Sequence, residues 1–177
     1  MITINTPVLQ TERLILRPFC ADDAQAVFTG WETDPDVAKY MFWKSHNDIN
    51  KTHEWLRFEA GKIAADDWFR WALVLKENNA LIGTALIYFE EEYNLFEVGY
   101  NLSKAYWGKG YTVEAMREII HFAKTIGIEE LVGRCAEENA ASAKVMKKLG
   151  FEFKKNIPYL TNEDTVLYKG EEYRLYL

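Results

Sequence analysis

The apolar positions between residues 68 and 123 change period part-way. Trp68 to Leu75 reads as a strand, Glu77-Asn78-Asn79 as a polar turn of hairpin length, and Ala80 to Phe89 as the second arm. Gly83, inside that arm, marks a bulge or a close approach. A polar tip, Glu90 to Asn94, leads into Phe96-Glu97-Val98-Gly99-Tyr100-Asn101-Leu102, where β-formers at 96, 98 and 100 alternate along a strand. From Val113 the spacing becomes helical, with Met116, Ile119, Ile120 and Ala123 on one side. Between the two lies Tyr106-Trp107-Gly108-Lys109-Gly110-Tyr111-Thr112. The unit is strand, glycine turn, helix.

Either side of this unit the pattern continues in short elements. Leu14-Ile15-Leu16 predicts a first strand, stopped by Pro18, and Asp22 and Asp23 cap a helix carrying Ala24, Val27, Phe28 and Trp31. Residues 33–47 form an aromatic loop or short helix around Tyr40, Met41, Phe42 and Trp43. Asp48 or Asn50 then caps a longer helix with Trp55, Phe58 and Ile63 inward. After a helix ending near Gly127, Leu131 to Cys135 is a short strand. It is reached through a helix and so runs parallel to its predecessor. Asn139 starts a further helix, with Ala143, Met146 and Leu149 inward and Gly150 as its stop. Phe151 to Pro158 and Tyr168 to Leu177 close the chain as two strands joined through a turn at Thr161 to Asp164. With no repeat, linker or low-complexity tract, the expectation is one mixed α/β domain over residues 1–177.

Two glycines let the backbone turn tightly at 108 and 110 and come close to a ligand. The first N–H groups of the helix that follows lack partners within it, and its dipole adds positive character, a combination that suits a phosphate or pyrophosphate. An ordinary strand-to-helix turn with two convenient glycines explains the same residues. No third glycine follows at dinucleotide-fold spacing, and no Gly-Lys-Ser/Thr supplies a nucleotide loop.

Composition narrows the field. A chain of 177 residues, 49% hydrophobic and rich in aromatics, can bury a real core. A net charge of −6 gives no general attraction to nucleic acid or anionic membrane. It favours a cationic substrate such as an amine, or serves solubility alone. No apolar stretch approaches a bilayer span, and Met1 to Gln10 lacks the basic and apolar regions of a signal peptide. Cys20 and Cys135, far apart, read as buried free thiols in a reducing cytoplasm. His46, His53 and His121 lack zinc-type spacing, so no metal site is expected.

A second constellation, Asn139-x-x-Ser142 with Lys147-Lys148-Leu149-Gly150-Phe151, lies one strand–helix unit beyond the first. Asn139 either caps its helix or hydrogen-bonds a ligand amide. Together with Thr11-Glu12-Arg13-Leu14-Ile15-Leu16-Arg17-Pro18, Asp22-Asp23, Leu81-Ile82-Gly83, Glu97-Val98-Gly99-Tyr100 and the glycine turn with Glu114-Ala115, it resembles the GCN5-related N-acetyltransferase (GNAT) superfamily. The nearest branch is the one named for ribosomal-protein N-terminal alanine acetyltransferases, and the resemblance covers nearly the whole chain in order.

The resemblance implies a bent, mostly antiparallel sheet with helices on both faces and a splayed parallel strand pair that admits acetyl-CoA. It assigns the pantetheine arm and acetyl carbonyl to the backbone of Val98, Gly99, Tyr100 and Asn101. The pyrophosphate falls to Tyr106, Trp107, Gly108, Lys109, Gly110, Tyr111 and Thr112, and a pantetheine contact to Asn139. Three positions depart from the family pattern. Ala105 stands where relatives often have Gln or Arg, which puts weight on Lys104 or Lys109. In the relatives with a well-defined base and acid, the general base is a Glu where Arg134 stands here, and the general acid is a Tyr where Met146 stands.

Direct attack of an amine on the thioester is the implied chemistry. An α-amine, with a pKa near 7.7–8.0, needs less deprotonation than a lysine near 10.4. Glu97 is the candidate base, against a structural role pairing with Arg13 or Arg17; Ser142 is the candidate donor to the departing thiolate, against an ordinary first-turn hydroxyl. Tyr40 and Trp43, with Phe42 and Tyr168, are candidates for the acceptor pocket, against core packing. The expected acceptor is a protein or peptide N-terminus, handled by a monomer or homodimer. A small amine (an aminoglycoside, polyamine or amino-acid derivative) is the enzymatic alternative. A non-catalytic acetyl-CoA-binding module and, more distantly, a nucleotide-binding protein are the others.

Overall fold

Leu14 and Leu16 are fully buried while Ile15 and Arg17, which alternate with them, are half-buried, the pattern of a strand with two unequal faces. The computed structural model describes residues 5–177; of the domain expected over 1–177 and the N-terminal stretch 1–10, positions 1–4 lie outside the described residues. In order the elements are β1 (Leu9–Gln10), β2 (Leu14–Arg17), α1 (Ala24–Val27), α2 (Pro35–Ala38), α3 (Ile49–Lys62), β3 (Trp68–Leu75), β4 (Leu81–Glu90) and β5 (Leu95–Leu102). They continue as α4 (Tyr111–Thr125), β6 (Glu130–Ala136), α5 (Ala140–Lys148), β7 (Glu152–Thr161) and β8 (Val166–Tyr176).

The strands form one eight-stranded sheet in the order β1-β2-β3-β4-β5-β6-β8-β7. Every neighbouring pair is antiparallel except β5 and β6, which α4 connects as a parallel crossover. Their ladder holds at Phe96–Leu131, Glu97–Val132 and Val98–Gly133 and then stops, although both strands run on. The splay lies there.

Period-two alternation sends each strand to two cores. Phe69, Trp71, Leu73 and Leu75 of β3 face Met116, Ile119 and Phe122 of α4 and Met146 of α5. Ala72 and Val74 face Val27 of α1, Trp31, Val37 of α2 and Leu56 of α3. Helices therefore cover both faces, as expected.

Several elements differ locally from the pattern's expectation. The helix after Asp22-Asp23 is a 3-10 turn (Ala21–Asp23), the single turn α1 and a π-turn over Phe28–Glu32. Asp23 does not cap α1; as the third residue of the 3-10 turn its carboxylate reaches back to accept the Cys20 N–H, and it binds Arg17 at 2.7 Å. Residues 33–47 hold α2, capped by Asp34 with Pro35 in its first turn, followed by loop. Asp48 rather than Asn50 caps α3, accepting the Asn50 N–H at 3.0 Å. Cys20 is exposed, and only Cys135 is buried. At Gly83 the reason for glycine is close approach: a Cβ there would strike the Asn101 carbonyl and Leu102 of β5.

Candidate active site

Where β5 leaves β6 a cleft of about 710 Å³ opens. Its walls include Tyr100, Asn101 and Leu102 of β5, the glycine turn with the start of α4, the start of α5, and the loop after α2.

The glycine turn has the geometry of an anion cradle. Gly108 and Gly110 have φ of +73° and +81°, the left-handed region in which glycine carries no Cβ penalty. The first helical bond of α4 runs from the Glu114 N–H to the Gly110 carbonyl at 3.0 Å, which leaves the N–H groups of Tyr111, Thr112 and Val113 directed out of the helix end. The N-terminal motif braces this turn from outside. Glu114 accepts the Arg13 N–H at 2.8 Å and the Arg13 guanidinium at 2.6 Å, while Arg13 also lies 4.2 Å from the Tyr111 ring centroid and donates to the Lys109 carbonyl. Burial opposes ionisation of Glu114, and the bonds from Thr11 and Arg13 outweigh it, holding its carboxyl below the usual range.

The cations differ from those expected. Lys104 is paired with Asp36, and Lys109 lies 5.4 Å from the Tyr106 ring outside the cleft wall. The lysines lining the cleft are Lys39, Lys144 and Lys148. Lys144 and Lys148 stand one turn apart on α5, a spacing readable in the sequence that puts two charges on one face.

Of the residues singled out in the sequence, Tyr40, Tyr100, Asn101, Tyr106, Trp107, Gly108, Gly110, Tyr111, Thr112, Asn139 and Ser142 line the cleft. Val98 and Gly99 lie at the point of parting. Trp43 does not join them: it packs against the second core with Phe19, Val27 and Trp31. Phe42 is exposed outside the cleft wall. Tyr168 stands 5.4 Å edge-on to Tyr40, and Tyr159 donates to the Tyr40 carbonyl at 3.1 Å. Asn162, at the tip of the β7–β8 hairpin, donates its N–H to the Met41 carbonyl at 2.8 Å. The C-terminal hairpin thus holds the loop that walls the cleft.

On the face of α1–α3, one rung before the splay, sits Glu97. Neither Arg13 nor Arg17 is its partner: Arg134 of β6 donates to it at 2.8 Å and to Glu172 of β8 at 3.2 Å. Alternation puts all three on the same face. The Glu97 and Arg134 side chains are each 12% exposed, and Tyr93 covers the guanidinium, its ring centroid 4.1 Å away. Burial pushes the Glu97 carboxyl up to about 7, with the negative charges of Glu90 and Glu172 adding to the rise and Arg134 opposing it. Asn139 caps α5, its Oδ1 accepting the Ser142 N–H at 3.2 Å, so the capping role is filled. Met146 is buried against Gly133, where a Cβ would meet its Sδ at 2.5 Å. A second hollow, lined by Glu59 and Arg70, has room for about 10 Å³, no more than a water.

A family model described as an acetyltransferase (GNAT) domain matches residues 13–152. The chain belongs to the GNAT acetyltransferase family. It is an acyltransferase, and the family's donor is acetyl-CoA. The uncharacterized N-acetyltransferase p20 of Bacillus licheniformis is 29% identical over 146 residues, spanning 81% of this chain and 82% of that protein. The uncharacterized N-acetyltransferase YjdG of Bacillus subtilis (strain 168) is 32% identical over 157 residues, spanning 85% and 90%. Among solved structures, RimL, a ribosomal L7/L12 alpha-N-protein acetyltransferase in complex with coenzyme A, shares the fold with a TM-score of 0.82 at 16% identity, over 98% of each chain. No group of side chains able to hold a metal ion occurs among the described residues, and no helix among them is long and apolar enough to cross a membrane.

Proposed function

We propose that this GNAT domain, spanning residues 1–177, transfers acetyl from acetyl-CoA to the α-amine of a peptide or protein N-terminus, of the ribosomal-protein kind. The observation that carries the reading is Glu97, a carboxyl raised to about 7 on the rung before the last one that β5 and β6 share, behind the cleft wall. A base of that strength is matched to an α-amine near 7.7–8.0 and poorly matched to a lysine near 10.4. The L7/L12 alpha-N-protein activity carried by RimL's name, on the same fold, points the same way.

In this mechanism the phosphates lie on the N–H groups of the glycine turn and the start of α4, with Lys144 and Lys148 adding charge. The thioester enters between Val98–Asn101 and β6. The amine arrives over Gly99 from the α1–α3 face, beside Tyr40. Glu97 takes its proton as the nitrogen attacks, and Ser142 donates to the departing thiolate. Proximity and a backbone donor on the carbonyl supply the rest of the acceleration. Unpaired Cys20 and Cys135 fit a reducing cytoplasm, where the domain works as a monomer or homodimer and without nucleic acid or membrane as direct partner.

The test is acetyl-CoA turnover, read as free thiol, against Ala- and Ser-initiated peptides and a panel of small amines. Acetylated peptide is the expected product. Turnover confined to a polyamine, aminoglycoside or amino-acid derivative would replace the N-terminal reading with a small-molecule one. Tight acetyl-CoA binding with no acceptor at all would favour a non-catalytic module.

A further inference from the structure

Met146 leaves α5 without a hydroxyl at the position where relatives carry their acid, yet a phenol reaches the same helix from the opposite wall. Tyr100 is the second residue of β5 beyond the last rung shared with β6. It lies on the α4–α5 side, packed against the core that holds Val98 and Met146. Its hydroxyl crosses the cleft to the first turn of α5, where Oη stands 2.9 Å from the Ser142 Oγ and 3.3 Å from the Ser142 carbonyl. Both side chains line the cleft. Cys135, the buried thiol of β6, lies beside the same pair; burial pushes it up to about 11 while the Ser142 hydroxyl draws it down.

A serine alone is a poor acid, because giving up its proton leaves an alkoxide far more basic than a thiolate. A phenol hydrogen-bonded to it lessens that difficulty, because a phenolate is less basic than an alkoxide. We propose that Tyr100 is the proton source for the departing coenzyme A thiolate, delivering through Ser142. As the tetrahedral intermediate collapses, the C–S bond breaks and its electron pair stays on sulfur. The Ser142 Oγ proton passes to sulfur, and the Tyr100 Oη proton passes to Oγ. The phenolate left behind takes a proton from water at the open cleft. Burial raises the Tyr100 hydroxyl above its ordinary value and makes it a weaker acid than a free phenol, so its proton moves only in concert with C–S cleavage and the phenolate is at once reprotonated.

The proposal rests on acetyl transfer in this cleft but not on the identity of the acceptor, and its test needs none. The thiol of bound coenzyme A is titrated by its thiolate absorbance in the wild type, Tyr100→Phe, Ser142→Ala and the double variant. A charge-assisted hydrogen bond to the thiolate lowers the bound thiol's pKa, so Tyr100→Phe should raise it by about one pH unit, a tenfold loss of thiolate. The titration is read at saturating coenzyme A, with the affinity of each variant measured beside it. Because the proton travels through Ser142, the double variant should match Ser142→Ala alone. Equal pKa values in wild type and Tyr100→Phe would overturn the proposal. So would additive shifts in the double variant, since Tyr100 would then act without Ser142. A failed acceptor panel leaves this titration readable, and a failed titration leaves the acceptor reading standing.

Discussion

Replacing Glu97 with Gln keeps the side chain's size and one accepting oxygen while removing the charge that burial opposes. In the folded protein the Glu97 carboxyl titrates at about 7 against an ordinary value of 4.5, and burial is the main cause. The shift is upward, so the folded state keeps a proton that the unfolded chain releases between those two values. Stability from this group is therefore complete below pH 4.5 and is lost as pH rises through 7. At 1.36 kcal/mol per pH unit, wild type should lose about 3 kcal/mol relative to Glu97→Gln between pH 4 and 8. Urea unfolding of both proteins across that range, at constant m-value, reads the difference directly. Parallel stability curves would refute the assignment of a raised carboxyl at 97. The same substitution should remove the limb near pH 7 from the kcat/KM profile while acetyl-CoA affinity holds. An unchanged profile takes Glu97 out of the mechanism.

Other expectations follow from single contacts. Gly133→Ala places a Cβ 2.5 Å from the Met146 Sδ and 3.3 Å from Val98, and should cost about 1–3 kcal/mol in thermal unfolding; trimming Met146 to Ala in that background should return part of the loss. Gly110→Ala forces a Cβ into φ of +81° and should destabilise by about 1–2 kcal/mol and weaken acetyl-CoA binding, with Gly110→Asn milder on both counts. Lys144→Ala with Lys148→Ala should raise the KM for acetyl-CoA and flatten its dependence on salt, leaving kcat near wild type; steady-state kinetics at two ionic strengths decides it. Arg13→Ala frees the outside of the glycine turn, so isothermal titration should show weaker acetyl-CoA binding without loss of the fold.

How far the sequence speaks differs between parts of the cleft. Backbone-made features were legible, because glycine, helix period and cap residues act locally: the turn at 108–110, the helix behind it, the Asn139 cap and the parallel strand reached through α4 all appear where expected. Side-chain partners across strands were not. Glu97 and Arg134 lie 37 positions apart and meet only because β5 and β6 pair in a register the pattern does not specify. The Tyr100–Ser142 pair depends on the splay in the same way. Trp43 shows the opposite failure: an aromatic in a loop carries no sign of whether it faces a ligand or a core, and here packing with Phe19 and Val27 claimed it. The tip contacts that tie Asn162 to Met41 are longer in range still, and no local pattern announces them.

A matched pair of peptides of one sequence tests the α-amine acceptor and the role of Glu97 most directly. The first carries a free α-amine and a blocked lysine; the second carries the reverse. With Glu97 as the base, kcat/KM for the first should exceed that for the second by at least about a hundredfold near neutral pH, since the two amines differ by more than two pH units in pKa. Equal rates, or preference for the lysine, would contradict the proposed acceptor and the role given to Glu97.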